Sequence, residues 1–91
     1  MIKIKILSQA GTVFDGDVKH IMFPGALGRF AVYPKHAPLL SKLVKGDIIC
    51  VLVNDEKTVF SIQSGFVEVK NDQVLVCIEL INGHNLVINH E

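Results

Sequence analysis

Residues 66–79 read Phe66-Val67-Glu68-Val69-Lys70-Asn71-Asp72-Gln73-Val74-Leu75-Val76-Cys77-Ile78-Glu79. Val67 and Val69 alternate with Glu68 and Lys70, the period of a strand with one face buried and one face wet. Asn71-Asp72 interrupts the pattern. Both residues tolerate positive φ or close a local side-chain turn, as a two-residue hairpin requires. The following run, Val74–Ile78, is continuously apolar. That suits a central strand covered on both faces, although periodicity alone does not separate it from a short buried helix.

The same grammar extends in both directions. Asn54-Asp55 separates Ile48–Val53 from Lys57–Gln63, and Ile2, Ile4 and Ile6 alternate with Lys3 and Lys5. Asp15-Gly16 reads as a further turn, and Pro24-Gly25, Pro34 and Pro38 break the middle of the chain. Val and Ile far outnumber Ala, which favours pleated sheet over helix. His36–Lys45 is the one stretch with any helical character, and Gly46 ends it early. The reading is an all-β fold: a flattened sandwich or barrel of short, mostly antiparallel strands with no substantial helix. Residues 1–80 form the domain. Residues 81–91 are a tail in which Asn82-Gly83 makes a small hairpin or the chain end frays.

Composition removes several function classes. The 91 residues carry nine Lys+Arg and nine Asp+Glu, a formal charge of zero. A protein that coats nucleic acid or an anionic membrane needs a basic excess. An apolar fraction of 49% excludes a disordered segment. The longest apolar run, Ile48–Val53, is far too short to span a bilayer. The opening MIKIKILSQ has neither the apolar core of a signal peptide nor the character of a transit peptide. Cys50 and Cys77 both lie in apolar runs and read as buried free thiols in a reducing compartment.

Catalytic and metal-binding patterns are lacking. Ser8, Ser41, Ser61 and Ser64 have no nucleophile elbow, and Gln63-Ser64-Gly65 is only a fragment of one. Asp15-Gly16-Asp17 lacks the further oxygens of a calcium loop. His20, His36, His84 and His90 have no zinc-ligand spacing. His20 shares a strand with Ile21 and Phe23 and reads as packing, while His84 and His90 read as solvated. Gly25-Ala26-Leu27-Gly28 matches the bare loop of a KH module, but that module needs flanking helices. A single-strand-binding β-domain wants a basic groove and stacking aromatics, and this chain has no Trp and one Tyr.

Residues 24–40, PGALGRFAVYPKHAPLL, hold more apolar side chains than one short strand can bury. Ala37, Pro38, Leu39 and Leu40 follow directly on a turn, and apolar residues on a proline-stiffened loop often face a partner. For Leu39 and Leu40 themselves, core is the favoured reading. The segment resembles the N-terminal β-domain of the epsilon subunit of bacterial F-type ATP synthases, called delta in mitochondria. The matching residues are Pro24, Gly25, Gly28, Phe30–Val32, Tyr33-Pro34 and His36–Leu40. In order around them come Val13-Phe14-Asp15-Gly16, Leu43 with Lys45-Gly46, and Gly65-Phe66-Val67-Glu68-Val69. The resemblance covers residues 1 to about 80. It departs at Ser64, where the family usually has glycine, and in ending at Glu91, where most bacterial members continue into an inhibitory helical hairpin. The sequence leaves a naturally short member and a truncated one both open.

The resemblance implies a non-catalytic rotor subunit that couples c-ring rotation, driven by protons or sodium, to gamma and the catalytic core. It implies no cofactor and no metal. It places Ser8, His36 and Ser41 toward gamma and Arg29 toward the c-ring. Many members carry a carboxylate where Arg29 stands, so a partner loop there is expected to be acidic or neutral. Without the hairpin, strong inhibition of ATP hydrolysis is not expected. The implied location is the cytoplasmic face of the bacterial inner membrane, held through the complex. A free-standing small β-domain that binds a ligand or single-stranded nucleic acid is the alternative.

Overall fold

A computed structural model describes residues 1–81 and the backbone of residues 87–90. The strands are β1 (Ile2–Ser8), β2 (Gly11–Gly25), β3 (Gly28–Val32), β4 (Leu39–Leu43), β5 (Gly46–Leu52), β6 (Lys57–Lys70), β7 (Gln73–Leu80) and β8 (Val87–His90). There is no α-helix among the described residues. All pairings are antiparallel except β1 with β7.

Two long strands build the architecture. β2 pairs with β1 as far as Val18, then with β5 and β3. β6 pairs with β8 as far as Phe60 and with β5 as far as Ile62, then with β7 from Ile62 and with β4 from Gly65. The register shifts at Lys19 in β2 and at Gln63 in β6. One extra residue in a strand bends it and lets it pass from one layer to the next. The first layer is therefore β2–β1–β7–β6–β4 and the second β3–β2–β5–β6–β8. A single pairing, Gly25 with Leu43, joins β4 to β2 at one end.

The core lies between the layers. Ile2, Ile4 and Ile6 point inward from β1, and Val74, Val76, Ile78 and Leu80 from β7. Phe23 and Phe60 are the largest fully buried side chains. Phe60 packs against Phe14 at 5.5 Å between ring centroids, and Phe23 against Phe30 at 5.4 Å. The hairpin turns at Asp55 and at Asn71-Asp72 adopt positive φ, as their residue types predicted.

Several expectations are corrected. Asp15-Gly16 is no turn: both residues lie inside β2, opposite Lys5 and Ile4. The glycine serves packing, because a Cβ there would meet the Phe14 ring at 3.3 Å. The turn before β2 instead uses Gly11, at φ 123°. Pro24-Gly25 continues β2, and the break follows at Ala26-Leu27. The weak helical stretch His36–Lys45 contains β4, because the C-terminal half of β6 offers a hydrogen-bonding edge that Leu39–Leu43 fills. Val74–Ile78 is covered on one face only, so Leu75 and Cys77 are exposed; Cys50 alone is a buried thiol. Leu39 packs on the core, but Leu40 is exposed. In the tail, Val87–His90 pairs with Lys57–Phe60 of β6; the Asn82-Gly83 pair and His84 lie outside the described residues.

Candidate functional site: an apolar outer sheet face and a hairpin end

The first layer presents its outer face in two cross-strand rows. One row runs Leu7, Cys77, Phe66, Lys42 and the other Lys5, Leu75, Glu68, Leu40, each across β1, β7, β6 and β4. Leu40 is 74% exposed, Phe66 57% and Leu75 41%. Leu75, Cys77 and Phe66 adjoin on β7 and β6, with Lys5 and Lys42 at the ends of the rows and Glu68 between Leu75 and Leu40. A shallow groove beside Phe66 and Cys77 runs on to Ser8, Lys42 and Glu79. The sequence held the signal for this face: β7 is apolar at both strand parities, and only one parity faces the core.

Ser8 ends β1 at one edge of this face. Its Oγ accepts from Ala10 N at 3.2 Å and donates to Gly11 O at 3.4 Å, which closes the β1–β2 turn. Ser41 lies on β4 across the sheet, with its Oγ donating to Lys42 O at 3.1 Å. Three strand steps of about 4.8 Å separate the two strands. His36 is half-buried in the β3–β4 loop, its Nδ1 donating to Ala37 O at 2.7 Å. That loop is held by Asp72, whose Oδ1 accepts from Lys35 N at 2.6 Å. Ser8, Ser41 and the His36 loop thus share the first layer. Arg29 stands apart, exposed on β3 opposite Pro24. His20 stacks on Tyr33 at 4.7 Å between ring centroids.

Ser64 has a negative φ, so the backbone there makes no demand for glycine. Its neighbour Gly65 does: a Cβ would stand 2.6 Å from Cys77 O. Burial pushes the Cys50 thiol up to about 12, so the thiolate is strongly disfavoured. Among the described residues no three His, Cys, Asp or Glu side chains converge as metal ligands would.

Comparison with known proteins fits this geometry. Residues 1–82 match the ATP synthase delta/epsilon chain β-sandwich domain. The chain belongs to the ATP synthase delta/epsilon family. The ATP synthase epsilon chain of a Nitratiruptor species is 41% identical over 78 residues, covering 86% of this chain and 60% of the relative. That of a Sulfurovum species is 34% identical over 79 residues, covering 87% and 62%. The chain thus spans about three fifths of the curated relatives it matches. A chain in the Euglena gracilis mitochondrial ATP synthase structure (OSCP/F1/c-ring) superposes with a TM-score of 0.77 at 18% identity, covering 97% of this chain and 52% of that one. A chain in the Tetrahymena thermophila mitochondrial ATP synthase structure (central stalk/c-ring) gives 0.72 at 13% identity, covering 86% and 63%. At these identities the two likenesses speak for the fold alone.

Proposed function

We propose that this chain is the β-domain of a central-stalk subunit in a bacterial F-type ATP synthase. It would sit between gamma and the c-ring on the cytoplasmic face of the inner membrane and pass ring rotation to gamma. It performs no bond chemistry. The observation that carries this reading is the outer face of the first layer, where Leu40, Phe66, Leu75 and Cys77 lie exposed on a rigid sheet. Covering these side chains yields about 25 cal/mol per Å² of apolar area, and two-layer packing makes the platform stiff. In this reading gamma covers that face, with Ser8, Ser41 and the His36 loop at its margin, and Arg29 meets the ring.

The test is co-expression with the gamma subunit of the same organism, followed by size-exclusion chromatography. A stable one-to-one complex is expected. A folded chain that elutes apart from gamma at low salt overturns the reading. The ligand or single-strand alternative would then be tested with labelled oligonucleotides and a salt titration.

A further inference from the structure

The outer face of the second layer carries an apolar row of its own. Ala31 of β3 lies opposite Met22 of β2, Met22 opposite Ile49 of β5, and Ile49 opposite Val59 of β6. The register continues the row to Ile88 on β8. The adjoining Ile21, Ile48 and Phe60 are fully buried in the core, so alternation turns the row outward. Five strands about 4.8 Å apart make a stripe about 19 Å long. Ala31, Met22 and Ile49 are half-buried, and among the described residues no strand packs over them.

Charged residues flank the stripe on both sides. Along one flank lie Arg29, opposite Pro24, and Asp47, opposite Ser61. Along the other lie His20, stacked on Tyr33, and Lys57, with Val51 between them. The fold sorts these charges. Lys19, at the bulge, is paired with Asp55 at 2.6 Å, whereas Arg29, Asp47 and Lys57 have no ion-pair partner among the described residues. Ser61 Oγ donates to Asp47 at 2.8 Å and holds the carboxylate on this face.

We infer that this face is an interface between two copies of this chain, related by a two-fold axis along the apolar stripe. A two-fold axis pairs a patch with itself, and two such axes stack stripe on stripe. An axis along the strands sets Asp47 on Asp47 of the second copy, because β5 is the middle strand of the layer, and lays His20 of β2 over Lys57 of β6. An axis along the stripe instead lays each flank on the opposite one. Asp47 then faces Val51 of the second copy, one strand step from its Lys57 and its His20, and Arg29 faces the ring of its Tyr33. Like charges meet in the first arrangement and opposite charges in the second, which selects the second. A second copy is favoured over an unrelated partner because the face holds both the acid and the cations that answer it. The inference is independent of the rotor reading. It uses the side of the sandwich opposite the one given to gamma, so a dimer leaves that side free.

The experiment is sedimentation equilibrium of the full chain from about 5 to 500 μM, a range that brackets a moderate dimer affinity. The wild type should pass from monomer to dimer as concentration rises. Asp47→Lys and Lys57→Asp each reverse one exposed charge and should weaken the dimer at least tenfold. The double variant restores an opposite-charge contact and should recover the wild-type affinity to within about threefold. Ile49→Lys should leave only monomer, and Phe66→Ser, on the gamma side, should leave the dimer intact. Thermal melts show which variants are folded, and the two exposed charge positions decide the matter if Ile49→Lys does not fold. A folded wild type that stays monomeric throughout overturns the inference and leaves the rotor reading standing. A dimer that resists both single reversals, or a double variant no tighter than the singles, also overturns it. Loss of the dimer in Phe66→Ser, with Ile49→Lys still dimeric, places self-association on the first layer and overturns it as well.

Discussion

The Asp72 carboxylate accepts a hydrogen bond from the backbone N–H of Lys35 at 2.6 Å, tying together two turns that lie 37 residues apart in the chain. Both residues hold positive φ, 65° at Lys35 and 59° at Asp72, and the Asp72 carbonyl also accepts from Lys3 N at 3.0 Å. One residue in the β6–β7 turn therefore anchors the start of β1 and the loop that carries His36.

Asp72→Ala should lower stability by about 1–3 kcal/mol. It removes a charge-assisted acceptor and places a residue with no local side-chain bond in the left-handed region. Asp72→Asn keeps an acceptor and should lose less than half as much. Urea unfolding checks both. Hydrogen exchange of the Lys35 amide should speed up in the alanine variant before any global loosening.

Phe66→Ser tests the apolar face without touching the core. Its side chain is more than half exposed, so unfolding free energy should change by no more than about 0.5 kcal/mol. Affinity for gamma should fall at least tenfold, roughly 1.4 kcal/mol, as expected for an aromatic anchor near the centre of an interface. Calorimetric titration of gamma against wild type and variant measures the difference.

The two thiols should separate cleanly in a labelling experiment. Cys77 is exposed and Cys50 buried. A maleimide should therefore modify one thiol of the native chain, Cys77, and reach Cys50 only in denaturant. Bound gamma should protect Cys77. Unaltered labelling in the complex would place gamma elsewhere.

Cys50 also sets an alkaline limit on stability. Its folded-state value, pushed up to about 12, lies above the ordinary value of 9.0 that the unfolded chain shows. Between these two values the unfolded chain releases the proton and the folded chain keeps it. Stability from this thiol is thus complete below pH 9 and is lost as pH rises, by up to about 1.4 kcal/mol per unit. Cys50→Ala should be less stable at neutral pH, yet its stability should fall less steeply above pH 9. Denaturant midpoints from pH 7 to 10.5 read the difference in slope.

Gly65→Ala should cost about 1–3 kcal/mol, because the new methyl would overlap the Cys77 carbonyl on the adjacent strand. Ser64→Gly should gain nothing, since Ser64 already holds an ordinary strand φ and donates to Glu79 Oε1 at 3.3 Å. Thermal melts of the two variants check the contrast.

The sequence by itself determined the all-β class, the inward faces of β1 and β6, the turns at Asp55 and Asn71-Asp72, and the family. Each is written in local terms: side-chain alternation, residues that accept positive φ, and an ordered motif. Tertiary structure alone decided what those local patterns share with other elements. Gly16 reads as a turn glycine until Phe14 is seen lying over it, and Leu39–Leu43 becomes a strand only because half of β6 has an edge to fill. Leu75 and Cys77 look like core until β7 is found with one face uncovered. The two bulges, at Lys19 and Gln63, move the buried side chains from even to odd positions, from Val18 to Ile21 and Phe23 and from Phe60 and Ile62 to Val67 and Val69, but only the pairings show that each strand passes between layers there. The sorting of cations likewise depends on pairings between distant strands. Lys19 meets Asp55 and Arg29 does not, because register, and not local composition, sets which charges become neighbours.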